Sequence, residues 1–158
     1  MSTEDFLRRI LPATGLYIIG HLAGKQFQNE VYESIEHAAV AAAYFDASGA
    51  ATYHACAAYR ERSVEGHKDG RTFQQVRVQR NVRALKSFWM DLDVEPGNPK
   101  KFESQEQAID GLVKFVGETN LPLPMVISSG GGIHIYWTLE NEIQPEAWRP
   151  VATGLKTL

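Results

Sequence analysis

The stretch Phe88-Trp89-Met90-Asp91-Leu92-Asp93-Val94 is an apolar run with two carboxylates set two residues apart inside it. Read as a strand, its side chains alternate. Asp91 and Asp93 then share a face with Leu85, Ser87 and Trp89, while Phe88, Met90, Leu92 and Val94 make an apolar opposite face. Two anions held side by side repel unless something cationic sits between them. A divalent cation such as Mg²⁺ or Mn²⁺, which takes carboxylate oxygens, meets that demand. The plainer reading is a strand whose end runs through Asp93 and Glu95 into a turn at Pro96-Gly97.

Downstream, the loop from Glu95 to Lys101 leads to Ser104 and Gln107, which match a capping box. Ala108, Ile109, Leu112, Val113 and Val116 follow as an amphipathic stripe, and Glu118-Thr119-Asn120 closes that helix. Pro122 and Pro124 introduce Met125-Val126-Ile127, an expected buried strand. Then comes Ser128-Ser129-Gly130-Gly131-Gly132-Ile133-His134-Ile135-Tyr136-Trp137, a strand end, a glycine-rich connection and a second strand. Consecutive glycines permit positive φ and let backbone N–H groups approach a ligand, as phosphate-cradling loops do. His134, Tyr136 and Thr138 share one face of that strand, and Ile133, Ile135, Trp137 and Leu139 the other. A bare hairpin turn with His134 beside it is the alternative.

Upstream, the segment from Arg60 to Lys86 holds eight Lys/Arg against Glu61, Glu65 and Asp69, a net +5 in a chain of net −3. Such a stretch suits a phosphate-facing surface, or else a solvated charged loop. Arg60 to Arg71, with Gly66 and Gly70, reads as a loop, and Arg71 to Arg83 as a short helix or an irregular approach. Ala51 to Tyr59 reads as one strand carrying Thr52, His54, Cys56 and Ala58 on a face. Ser34 caps a helix bearing Ile35, Ala38, Ala39, Ala42 and Phe45, ended near Gly49. His21 to Glu33 shows no period, Gly15 to Gly20 is a plausible first strand, and Thr3 caps a helix from Glu4 to about Ile10. Pro145 starts a final helix containing Trp148, Val151 and Leu155.

At 158 residues the chain suffices for one domain. No apolar run reaches the length of a membrane span, and the acidic N-terminus lacks the order of a signal peptide. The single cysteine, Cys56, excludes an internal disulfide and reads as a buried structural thiol of a cytoplasmic protein.

Trp89-Met90-Asp91-Leu92-Asp93-Val94 followed by Ser129-Gly130-Gly131-Gly132-Ile133-His134-Ile135-Tyr136-Trp137 resembles the archaeo-eukaryotic primase superfamily, and within it the primase-polymerases of phages and plasmids. The resemblance covers Lys86 to Trp137, and Asp93 and His134 stand 41 positions apart. It implies an α/β (α+β) fold with a mixed central sheet, an RNA-recognition-like catalytic core and helices packed on one face. Residues 1–158 would then be a catalytic domain: 1–84 an N-terminal α/β part, 85–140 the motif region, 145–158 the start of a helix. The implied activity is template-directed nucleotidyl transfer on a DNA template and primer, with NTP or dNTP as substrate and a helicase domain or protein as a further partner. By the same resemblance, Asp91 and Asp93 are the ligands of a two-metal Mg²⁺ or Mn²⁺ site, and His134 contacts the nucleotide phosphates. Ser129, Gly131 and Gly132 would line the nucleotide; from their positions in the chain, not from the resemblance, Arg80, Arg83 or Lys100 are candidate phosphate or template cations. The strict second motif carries serine where this chain has Gly132, and the family's third acidic ligand lies on a later strand, for which only Glu140, Glu142 and Glu146 remain. The chain therefore reads as the N-terminal portion of a longer protein. Three other readings use the same residues: a nucleic-acid-binding module stacking bases on Trp89 and Tyr136, a metal-dependent nucleotide-sugar transferase, and a nuclease with Tyr136 as nucleophile.

Overall fold

A computed structural model describes residues 1–129 and 131–158. The protein is α+β, with four α-helices and several antiparallel sheets among the described residues. No helix among them is long and apolar enough to cross a membrane. The chain divides into two compact units, residues 1–86 with 140–151, and residues 87–139 with 152–158.

In the first unit, α1 (Thr3–Ile10) is capped by Ser2 rather than Thr3. The Ser2 hydroxyl oxygen accepts the Asp5 N–H at 3.1 Å, and the Asp5 carboxylate takes the Ser2 N–H in return. This reciprocal cap leaves Leu7 and Ile10 to be buried. Strand β1 (Tyr17–Ala23) pairs antiparallel with β2 (Gln26–Tyr32) through a two-residue turn, Gly24-Lys25, with φ of 62° at Gly24. A strand at 26–32 was not expected from sequence. Gln26 to Glu30 are exposed on both faces, so no alternation of polarity marks them.

Helix α2 (Ile35–Ala47) follows the expected cap, the Ser34 hydroxyl accepting the His37 N–H at 3.2 Å. One face of β1 turns toward the helices: His21 is buried and stacks on Phe45 of α2 with ring centroids 3.9 Å apart. The stretch expected as one strand at 51–59 is two strands. β3 (Thr52–His54) pairs with β1, whereas β4 (Ala58–Tyr59) belongs to another sheet. Ala55 and Ala57, between them, are buried with Ile18, Tyr59, Val76 and Leu85 in the core of this unit. The expected loop at 60–71 and the helix or irregular approach after it are instead mostly a hairpin. Strand β5 (Val64–Lys68) pairs with β6 (Arg71–Gln75) around Asp69-Gly70, at φ of 50° and 72°. An Asp-Gly pair with both φ positive is the turn that matches strand twist. A single 3₁₀ turn, Gln79–Asn81, then precedes β7 (Val82–Asp93).

Strand β7 and the later β9 (Gly132–Ile143) are long and belong to both units, in a sheet ordered β4-β7-β9 and ending in β8 (Met125–Ser128). In the second unit, β7 alternates from Trp89 onward: Trp89, Asp91 and Asp93 are exposed, Met90 and Leu92 half-buried. Helix α3 (Gln105–Thr119) starts at Ser104, whose hydroxyl accepts the Gln107 N–H at 3.1 Å. The Gln107 side chain reaches back to the Glu103 N–H at 2.7 Å, one residue earlier than a capping box requires. Ala108, Leu112 and Val116 are buried, while Ile109 and Val113 of the same stripe are exposed. Asn120, left-handed at φ 55°, ends the helix. β8 is an edge strand with Val126 exposed, not the buried strand expected, and Pro122 just before it accepts the Trp137 indole N–H at 2.7 Å. Helix α4 (Pro145–Lys156) begins where expected and contains Pro150.

Candidate functional site

Asp91 and Asp93 project from one face of β7 with side chains 58% and 60% exposed. Two residues on a strand return a side chain to the same face, so the sequence spacing alone produces this pairing. Strand β9 is the neighbour of β7 and brings the His134 Nε2 to 3.4 Å from Asp91 Oδ1. That is ion-pair reach but long for a hydrogen bond.

The approach of the two strands depends on Gly132. A Cβ built there would lie 2.5 Å from the Leu92 carbonyl oxygen and 3.4 Å from the Asp93 Cα. The Val94 N–H donates to the Gly131 carbonyl at 3.2 Å, fastening the same place. Glycine is needed here for close approach. Gly132 does not have positive φ and serves close approach instead, while Gly130 of the same run lies outside the described residues. The serine of the strict motif could not stand at 132 without displacing the Leu92 backbone.

A third partner comes from the loop after β7. Phe102 N–H donates to Asp93 O at 3.0 Å and Glu95 N–H to Phe102 O at 2.9 Å, folding the loop back on the strand end. This carries Lys101 Nζ to 2.7 Å from Glu95 Oε2 and 3.6 Å from Asp93 Oδ2. The Lys101 ammonium, with the Asn98 amide as second donor, holds the Glu95 carboxyl below its ordinary value. Glu95 and Asp93 in turn raise the Lys101 ammonium. Each aspartate thus faces one cationic group, His134 when protonated for Asp91 and Lys101 for Asp93. The neighbouring Lys100, the cation expected from sequence, is exposed, and its backbone N–H donates to Asn98 Oδ1 at 3.1 Å. No periodicity in a loop tells two adjacent lysines apart.

The remaining expected site residues are placed as follows. The Ser129 N–H donates to the Gly132 carbonyl at 3.0 Å, closing the connection between β8 and β9. Gln105, at the start of α3, donates from its amide to Ser128 Oγ at 3.1 Å and tethers the helix to that connection. Arg83 belongs to the first unit, where its Nη1 donates to the Thr14 carbonyl at 2.8 Å and to Glu142 at 2.9 Å. Arg80, also there, donates to the Glu65 carbonyl. Glu140 and Glu142 do lie in a strand, since β9 runs on to Ile143, but it is the strand of His134 itself.

Tyr136 is only 3% exposed because β9 is covered on both faces from Ile135 to Trp137. It can neither stack on a base nor act as a nucleophile there. Cys56 is half-buried rather than buried, and desolvation of its thiol pushes it up to about 12, which disfavours the thiolate. A groove of about 430 Å³ opens between α3 and β8, floored by Ile109, Val126 and Ile133. Glu106 and Asp110 on its rim would repel a phosphate.

Among the described residues, no three His, Cys, Asp or Glu side chains converge to hold a metal ion. Asp91 and Asp93 are two carboxylates on one strand face that could together meet a divalent ion. Mg²⁺ is commonly held by one or two carboxylates completed by water and substrate phosphates, and two exposed carboxylates on one strand fit that pattern. The chain matches no family model, no curated protein and no solved structure.

Proposed function

We propose that the Asp91–Asp93–His134 face binds a nucleoside triphosphate together with Mg²⁺ or Mn²⁺, and that the chain is a nucleotidyltransferase module of the primase-polymerase type acting on a DNA template and primer. One observation carries this reading: His134 Nε2 lies 3.4 Å from Asp91, although the two motifs are far apart in sequence and are joined through a glycine that admits no side chain. The divalent cations, when bound, would neutralise the nucleotide phosphates and sharpen the attacking 3′ hydroxyl. Asp91 and Asp93 supply the carboxylate oxygens that hold them. The 3′ hydroxyl gives up its proton to solvent water, its oxygen bonds to the α-phosphorus as the bond from that phosphorus to the oxygen bridging to the β-phosphate breaks, and pyrophosphate leaves. His134 donates from its imidazole to the β/γ-phosphates, where charge accumulates on the leaving group. Gly131, whose side-chain position is open, keeps that approach free, and Gly132 lets the His134 strand lie close against Leu92.

Two measurements test the reading. The first follows nucleotide addition to primed and unprimed DNA with Mg²⁺ or Mn²⁺, comparing the chain with an Asp91→Ala/Asp93→Ala variant. Template-matched extension that disappears in the variant is expected. The second follows Mn²⁺ binding by electron paramagnetic resonance with and without a nucleoside triphosphate. A chain that neither extends DNA nor binds Mn²⁺ in the presence of the nucleotide would refute the assignment.

A further inference from the structure

We infer that the open face of the β1–β2–β3 sheet binds single-stranded nucleic acid by stacking bases on Phe27 and Tyr53. The inference uses none of the residues of the carboxylate site and stands whether or not the chain transfers nucleotides. The strand register puts Gly20 and Leu22 of β1, Phe27 and Asn29 of β2, and Tyr53 of β3 on one face. The central strand has no side chain at Gly20, where a Cβ would lie 2.4 Å from the tip of the Phe27 ring. Rings from the two outer strands therefore meet above it, with centroids 5.5 Å apart and planes at 55°.

This floor is open. Phe27 is 44% and Tyr53 52% exposed, with Leu22 beside them at 42%. Farther along, the same face is closed, because Ile18 and Val31 pack into the core of the unit. The other face is occupied as well, by His21 against Phe45 and by His54 edge-on to Phe6. The aromatic pair is thus held rigidly at the uncovered end of an anchored sheet.

Charge selects the class of ligand. The Arg77 guanidinium lies 5.9 Å from the Phe27 ring centroid, and Lys25 is exposed in the adjoining turn. No strand position on this face carries a carboxylate, since Glu30 of β2 points to the opposite side with His21. An acid-free aromatic floor edged by cations, on a protein whose net charge is −3, suits a polyanion that offers flat rings. Sheet aromatics stacking two or three bases, with arginine nearby, are a general solution for single strands and are tolerant of sequence. A duplex hides its ring faces and cannot use the floor.

The test is fluorescence anisotropy of labelled oligothymidylate and oligouridylate of roughly twenty nucleotides, and of a duplex of equal length, with the full chain in EDTA. Both single strands are expected to bind, and the duplex at least about tenfold more weakly. Tyr53→Ser and Phe27→Ala should each weaken single-strand binding roughly tenfold, whereas Tyr53→Trp should retain it. Arg77→Gln should flatten the salt dependence by about one counterion. Tyr53→Ser replaces an exposed side chain, so an unchanged melting curve separates lost stacking from lost folding. Binding that ignores Tyr53→Ser, Phe27→Ala and Arg77→Gln, equal binding of duplex, or no binding together with self-association abolished by Tyr53→Ser would each overturn the inference. The last result would assign the face to a protein partner.

Discussion

Gly132→Ala is the substitution that most directly tests how the two motif strands are joined. The new Cβ would sit 2.5 Å from the Leu92 carbonyl oxygen, where ordinary contact begins near 3.4 Å. The strands would have to part by about 0.9 Å at that point, and the obstacle is backbone, which cannot rotate away. Overpacking of this kind costs about 1–3 kcal/mol, and a backbone obstacle argues for about 2–3 kcal/mol. For a chain of this size that corresponds to a fall in melting temperature of roughly 5–10 °C. Gly131→Ala is the matched control. Apart from its chain neighbours, no atom lies within 4 Å of its added Cβ, so it should change stability by no more than about 0.5 kcal/mol. Circular-dichroism melts of the two variants and the parent provide the comparison. If both alanine variants melt together, or if Gly132→Ser is as stable as the parent, the packing of Gly132 on Leu92 is wrong. The derived position of His134 beside Asp91 would fall with it.

Lys101→Met removes the ammonium that faces Asp93, so Mn²⁺ titrated into the chain should bind a few-fold more tightly, as read by electron paramagnetic resonance. The same change should return the Glu95 carboxyl toward its ordinary value of 4.5 in a carboxyl NMR titration. Because the folded value is the lower one, the Glu95–Lys101 contribution to stability is present above the ordinary glutamate range and is lost as pH falls through the depressed value. Cys56, with its thiol moved from 9.0 to about 12, should react with a disulfide reagent at pH 8 by two to three orders of magnitude more slowly in the native chain than in denaturant. Ser104→Ala should destabilise the protein by about 1 kcal/mol in urea titration, since the Ser104 hydroxyl accepts the Gln107 N–H at the start of α3.

What the sequence revealed follows from which residues had to be periodic. Helix α3 was legible because Ala108, Leu112 and Val116 must face a core, and because Ser104 and Asn120 carry the chemistry of its two ends. The carboxylate strand was legible for the same reason, with Asp91 and Asp93 standing out against the less exposed Met90 and Leu92. Strand β2 was not, because a two-sided wet strand has no polarity pattern to read. The β5–β6 hairpin did carry a signal, Asp69-Gly70 flanked by five-residue strands, but surrounding glycines and charges read as loop. Tyr136 shows how alternation fails where a strand is covered on both sides. Lys101 was beyond reach for another reason. Its place depends on Phe102 pairing back to the end of β7, a contact no local pattern announces.

The last strand of the four-stranded sheet also bears on how the chain behaves in company with its own copies. An outer strand offers a row of amide and carbonyl groups to any passing chain, the geometry from which fibrils grow. Here that row is only four residues long, Met125 to Ser128, and the segment leading into it holds Pro122 and Pro124, neither of which has an amide proton to give. A templated strand would run out of donors almost as soon as it began to add. The two prolines therefore act as stops against runaway association, and replacing both with valine should shorten the lag time of aggregation in a thioflavin assay.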